Sequence, residues 1–315
     1  MTSLPVEQGT SVDFSKPAHS VLSSVPIGGS ETRCWRDTMI STSHADISIR
    51  ETTGEKLPIL LLHGGGLCKE TFDRQLESSL GARHRMIAID LPGHGASGDA
   101  FDPDRTYRIE GLADVALEVL ESLGIDNAVV VGASLGGWVG LEMLQTFPGL
   151  VGLTLTATLP GDRATPPSAP KLLEVGRPEE DEPTDDEVDA FLRRSLGDLS
   201  GAAFAGAVKR TDARATKRIC DDIRSKAPAL WPVAASASAT PIMVVNGARS
   251  VTTQSGDVAA AAARSAGGNY AIPHAGPAPF LDAPMIYNHL LEGFMQRMMR
   301  RERQLLASPT LWYGG

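Results

Sequence analysis

The sequence predicts an α/β fold: a mostly parallel sheet of about eight strands, helices on both faces, and a helical cap. Three observations carry this expectation. Short apolar runs alternate with segments whose apolar residues recur at helical spacing. Several of these runs break directly into glycine-rich loops, as strands do where a helix is about to begin. The alternation then stops over residues 159–239 and resumes from Pro241.

The elements follow in order. Residues 1–34, rich in Ser, Thr, Pro and Gly, read as an extension outside the core. Ala45–Glu51 alternates like a half-buried strand. Leu57–Leu62 is a continuous apolar run ending in His63-Gly64-Gly65-Gly66, and Arg85–Asp90 is another, closed by Leu91-Pro92-Gly93-His94-Gly95. Ile109–Leu123 has helical spacing and stops at Gly124. Ala128–Val131 leads into Gly132-Ala133-Ser134-Leu135-Gly136-Gly137 and a helix ending near Phe147-Pro148; Val151–Ala157 is the next strand. Residues 159–239 hold prolines, an acidic run (Glu179 to Asp181, Glu182, Asp185 to Glu187) and helical stretches near 184–197 and 201–226. They read as an inserted cap, with the acidic run as a solvated face. Strands at Pro241–Asn246 and Asn269–Ile272, a helix over Ser255–Ala266 and a closing helix from Met285 complete the core, leaving 306–315 as a tail.

Composition excludes several classes. The 315 residues carry a formal charge of −9, against the basic footprint of a nucleic-acid binder. With 42% hydrophobic residues and no long apolar run, the chain reads as a globular protein without a membrane span. The start lacks a signal-peptide pattern, and three scattered cysteines suggest no disulfide framework, so a cytoplasmic location is expected. No His, Cys, Asp or Glu cluster has ligand spacing, so neither metal nor other cofactor is expected.

Gly132-Ala133-Ser134-Leu135-Gly136 fits G-x-S-x-G between a buried strand and a helix. Such a turn is tight enough to require glycine at its flanks. It holds the serine at an exposed tip over a helix N-terminus, where free N–H groups favour negative charge. The glycines after His63 let backbone approach a ligand. Gly65 and Gly66, with the N–H of Leu135 and with His63 beside them, are the candidate oxyanion and substrate-binding residues.

Through these motifs the chain resembles the α/β-hydrolase superfamily. The resemblance rests on Leu62–Gly66, Asp90-Leu91-Pro92-Gly93-His94-Gly95-Ala96-Ser97 and Gly132–Gly137. Within it, Ala88–Ser97, Asp102–Arg105, Val244-Val245-Asn246-Gly247 and Ala275–Phe280 with Ala283-Pro284 are similar to α/β-hydrolase-type N-acyl-homoserine-lactone lactonases. The similarity spans about residues 35–300. It implies a cofactor-independent enzyme on a carbonyl, ester or lactone, with a triad in chain order Ser, acid, His.

Two triad positions depart from that pattern. The acid is expected shortly after Gly247, where the chain reads Ala248-Arg249-Ser250; no carboxylate follows until Asp257. Ungapped matching puts Pro277 at the histidine position. A serine hydroxyl without an adjacent base is a poor nucleophile. His274, three residues early, is the candidate substitute and counts with Ser134 among the expected catalytic residues; His63, His94 and Cys68 are weaker alternatives. Three readings stay open. One is an enzyme turned to non-hydrolytic chemistry of isomerase, lyase or cyclase type. The second is an esterase or lactonase using Ser134 with a rearranged base. The third is a ligand-binding protein without turnover.

Overall fold

A computed structural model describes residues 35–158, 183–197, 202–237, 240–250 and 267–307. Eight strands form one sheet: β1 (Trp35–Ser41), β2 (Asp46–Thr52), β3 (Lys56–Leu62), β4 (His84–Ile89), β5 (Ala128–Ala133), β6 (Leu150–Thr156), β7 (Ile242–Gly247) and β8 (Asn269–Ile272). Their spatial order is β1-β2-β4-β3-β5-β6-β7-β8. The β1–β2 and β2–β4 pairs are antiparallel and the rest parallel.

The apolar runs are continuous because both faces of the sheet are covered. Leu60 and Leu62 point into one core with Ile87, Ile89 and Val130; their neighbours Ile59 and Leu61 point into the other with Met86, Ala88 and Val129. The first core is closed by helix α1 (Ile109–Ser122) and helix α2 (Leu135–Thr146). The second is closed by helix α6 (Pro284–Ala307), which buries Tyr287, Leu291, Phe294 and Met298 along one stripe.

β1 is absent from the sequence reading for a physical reason. Its residues are exposed or half-buried on both faces at the sheet edge, so no apolar alternation marks it. The other strand boundaries match the expectation within a residue or two.

The described part of 159–239 contains helices and no strand: α3 (Asp185–Leu196), α4 (Ala205–Arg210) and α5 (Ala213–Ala237). The single stretch expected over 201–226 is divided at Thr211-Asp212. α3 opens on a capping box in which Thr184 and Glu187 satisfy each other's backbone N–H groups, with Asp185, Asp186 and Glu187 in the first turn. That half of the acidic run therefore complements a helix N-terminus. The α4–α5 joint is tied to the core. Asp212 N–H donates to Gly93 O at 2.8 Å, the Tyr107 hydroxyl donates to Asp212 Oδ2 at 2.6 Å, and Arg210 donates to Ser97 O at 2.9 Å. The expected extension 1–34, Glu179–Glu182, the helix over Ser255–Ala266 with Asp257, and the tail beyond Ala307 lie outside the described residues. Among the described residues no helix is long and apolar enough to cross a membrane.

Candidate active site

Ser134 sits between the end of β5 and the start of α2, at φ 49° and ψ −108°. This left-handed conformation is costly for a residue with a side chain, by about 1–3 kcal/mol, and persists only where the surroundings enforce it. They do so here through close packing. A Cβ on Gly136 would lie 2.1 Å from Leu62 O, and one on Gly132 would lie 2.3 Å from Gly136 O. Only glycine lets α2 start this close to β3.

Most of the turn's backbone is paired. Ser134 N–H donates to Thr156 O at 2.8 Å, and Ser134 O accepts from Gly137 N–H at 3.0 Å and Trp138 N–H at 3.3 Å. Gly136 N–H donates to His63 O at 3.1 Å. The serine hydroxyl and the Leu135 N–H are what remain. Ser134 is exposed, and its Oγ makes no hydrogen bond among the described residues. The N–H of Leu135, first residue of α2, has no acceptor inside the helix. Gly64 approaches the same point: a Cβ there would be 3.5 Å from Ser134 Cβ. Gly65 and Gly66 follow, both half-buried, with Gly66 at φ 75°.

His63 does not face this hydroxyl as a free base. Its Nδ1–H donates to Gly64 O at 2.8 Å and its Nε2 accepts from Leu91 N–H at 3.0 Å. Both nitrogens are thus used in pinning the glycine loop to the β4 loop. The ring is fully buried, and burial holds its pKa below the usual histidine value. His94 packs beside it, ring centroids 5.3 Å apart and the planes tilted by 53°. Burial, then the neighbouring His63, pushes His94 down to about 3, and its Nδ1–H is held by Pro92 O at 2.9 Å. Among the described residues neither ring hydrogen-bonds to Ser134. Cys68 is buried, and burial raises its thiol well above the ordinary range.

Below the loop lies an ion pair that the sequence did not suggest. Lys69 Nζ donates to Asp90 Oδ2 at 2.7 Å, Lys69 N–H donates to Oδ1 at 2.7 Å, and Ala96 N–H donates to Oδ2 at 2.8 Å. Both side chains are buried. Burial alone would lower the Lys69 ammonium; the Asp90 carboxylate, with Glu70, outweighs this and raises it. A lysine near a glycine loop looks like a surface residue in sequence, and nothing in its spacing pointed to Asp90.

The positions matched to acid and base lie on two loops joined to each other. After β7, Ser250 N–H donates to Gly247 O at 3.0 Å, and Ser250 is buried. Ala248 N–H donates to Ile272 O and Arg249 N–H to Ala275 O, each at 2.9 Å. Gly247 packs against Gly276, where a Cβ would meet Gly276 O at 1.9 Å. Pro277 follows, half-buried. His274 stands apart in the turn after β8, exposed and at φ 63°. Among the described residues its ring makes no hydrogen bond, so the structure does not join it to Ser134. Among the described residues no group of three or more His, Cys, Asp or Glu could hold a metal ion.

The cap helix α3 spans both loops. Its Phe191 ring lies on the glycine loop: a Cβ on Gly66 would be 2.8 Å from Phe191 Cζ. At its end, a Cβ on Gly197 would be 3.7 Å from Pro277 Cδ. Phe191 was not singled out in the sequence, though Val188, Phe191, Leu192 and Leu196 form a helical apolar stripe within an acidic segment.

Residues 59–288 match the model of the "Alpha/beta hydrolase family". The chain belongs to the α/β hydrolase family. A solved structure of the N-acyl homoserine lactonase AidH complexed with N-butanoyl homoserine is 33% identical to this α/β hydrolase. It superposes with a TM-score of 0.76, covering 89% of this chain and 100% of that one. A mutant of the same lactonase with N-hexanoyl homoserine gives 32% identity and a TM-score of 0.74. Among curated relatives, an esterase of Mycobacterium tuberculosis is 34% identical over 106 residues, 34% of each chain. The magnesium-chelatase 30 kDa subunit of Rhodobacter capsulatus is 29% identical over 133 residues, 38% of this chain and 46% of its own. The chain thus spans less than half the length of these two curated relatives.

Proposed function

We propose that this α/β-hydrolase-family enzyme binds a small ester, lactone or related carbonyl compound and transforms it without triad hydrolysis. The carbonyl oxygen rests on the N–H groups of Leu135 and Gly65, with Gly66 completing the turn of the loop and the helix α2 N-terminus favouring the developing negative charge. Isomerisation, elimination or cyclisation fit such a site, because they need positioning and carbonyl polarisation more than a nucleophile. The observation that carries this reading is the Ser134 hydroxyl: exposed, strained, and without a hydrogen-bond partner among the described residues. The replacement of acid and base by Ser250 and Pro277 supports it.

A second reading, a lactonase or esterase using Ser134 with His274 as base, is favoured by the full-length likeness to a lactonase. A fluorophosphonate probe separates the two. Loss of the base in a triad enzyme costs on the order of 10⁴–10⁶ in rate. The expected result is therefore no labelling of Ser134 within an hour at neutral pH, under conditions that saturate an intact serine esterase. Stoichiometric labelling within minutes would overturn the proposal. Its loss in His274→Ala would then identify the base.

A further inference from the structure

We propose that Phe191 of the cap helix sets the length of acyl group this site accepts, closing it to all but short chains. The inference rests on the reading that an ester or lactone carbonyl binds between Gly65 and Leu135.

Phe191 is 2% exposed, and its ring edge stands directly over the α-carbon of Gly66. Gly66 is in turn two residues from Gly64, which abuts Ser134. A ligand carbonyl held on the glycine loop therefore has the Phe191 ring beside it. The ring belongs to an apolar core cluster that also holds Leu67, Val188 and Leu192, each nearly without solvent contact. An apolar wall suits an alkyl chain and offers nothing to the polar atoms of a lactone ring, so the acyl side of the ligand is the side that faces it. The wall is also full. An alkyl chain growing toward it meets packed side chains rather than space.

The α4–α5 part of the cap is held to the core by hydrogen bonds through Asp212 and Arg210, whereas α3 meets the glycine loop through apolar contact. Truncating Phe191 therefore opens room at the loop while the polar anchors stay in place. Apolar spaces made by truncating a large buried side chain accept apolar ligands.

The test is a titration by calorimetry of wild type and Phe191→Ala with N-acyl homoserine lactones carrying butanoyl to dodecanoyl chains. Where the site turns the ligand over, kcat/KM replaces affinity. Each methylene that finds apolar space strengthens binding about fourfold. In wild type the gain is expected to stop after a short chain. In Phe191→Ala it should continue for two or three further carbons, a gain of 10-fold or more for the longer ligands and little change for butanoyl. Phe191→Leu, which keeps the cap stripe apolar, should shift the limit the same way by about one carbon, so the proposal does not depend on the alanine variant folding. Chain-length profiles that coincide in wild type and the folded variants would overturn the role of Phe191 alone. Absence of binding by any ligand of the series to any of the three proteins would overturn the carbonyl-binding reading and this inference with it.

Discussion

The double variant Ser250→Glu with Pro277→His is expected to gain on the order of 10² in hydrolysis of short p-nitrophenyl esters and acyl lactones. A correctly placed base is worth on the order of 10⁴ or more, and an ångström of misplacement removes about 10² of it. The fold supports the design at the backbone level. The loop that would carry the acid and the loop that would carry the base are hydrogen-bonded to each other through Arg249 N–H and Ala275 O. Gly247 and Gly276 are packed in contact, so a carboxylate at 250 and an imidazole at 277 start from adjoining backbone. Each single change should yield little, because nucleophile, base and acid act as a unit. Pro277→His alone is the better of the two, since it supplies the base. The design strains one contact: residue 277 lies beneath the end of α3 at Gly197, and an imidazole there must fit under the cap. Gain in the double variant that vanishes on adding Ser134→Ala confirms the residue matching. A folded double variant with no gain refutes it.

The second large effect is on stability in mild acid. His94 is held neutral by burial, with a pKa of about 3, and burial also depresses His63, His84 and His44. A histidine whose folded pKa lies below its unfolded value stabilises the fold fully above about pH 6.5. That contribution falls as pH drops toward the folded value. For His94 the loss amounts to about 1.4 kcal/mol per pH unit, about 5 kcal/mol by pH 3. The other three steepen it. Asp73 and Glu142, whose carboxyls burial raises, act in the opposite sense, gaining stability as pH falls from their raised values toward about 4, and so offset part of this loss. Four depressed histidines against two raised carboxyls leave a net loss between about pH 6.5 and 4.5, steepest in the upper part of that window. Urea unfolding at half-unit steps should show stability falling from pH 6.5 downward. His94→Asn, which keeps a donor toward Pro92 O, should show a shallower slope. An equal slope in the variant, or constant stability from pH 7.5 to 5, would contradict the assignment.

How much of this was legible in the sequence depends on the kind of interaction. Strands β2 to β8 were readable because burial on one or both faces writes itself into apolar runs. β1 was not, because an edge strand exposed on both sides carries no such pattern. The serine turn was readable from its glycines alone, since the clashes a Cβ would make with Leu62 O and Gly136 O leave no other residue type. The contacts that hold the glycine loop were not. Lys69 and Asp90 are 21 residues apart, and nothing local marks a lysine whose partner lies on another strand's end. His63 looked like a possible base, and only geometry shows both of its nitrogens already engaged. Phe191 was hidden for the opposite reason: an apolar residue on a helix stripe is ordinary, and its meaning comes from lying on Gly66.

The contact between Phe191 and Gly66 also orders the paths by which this chain can change. A side chain at position 66 would meet the tip of the phenyl ring at 2.8 Å, so Phe191 must shift or shrink to admit it. Even then the backbone at φ 75° admits little beyond Asn or Asp. Of the two partners in this contact the helix residue is therefore the freer to vary: Phe191 can give way to a smaller apolar side chain, whereas position 66 is bound to glycine by its backbone as well as by the ring.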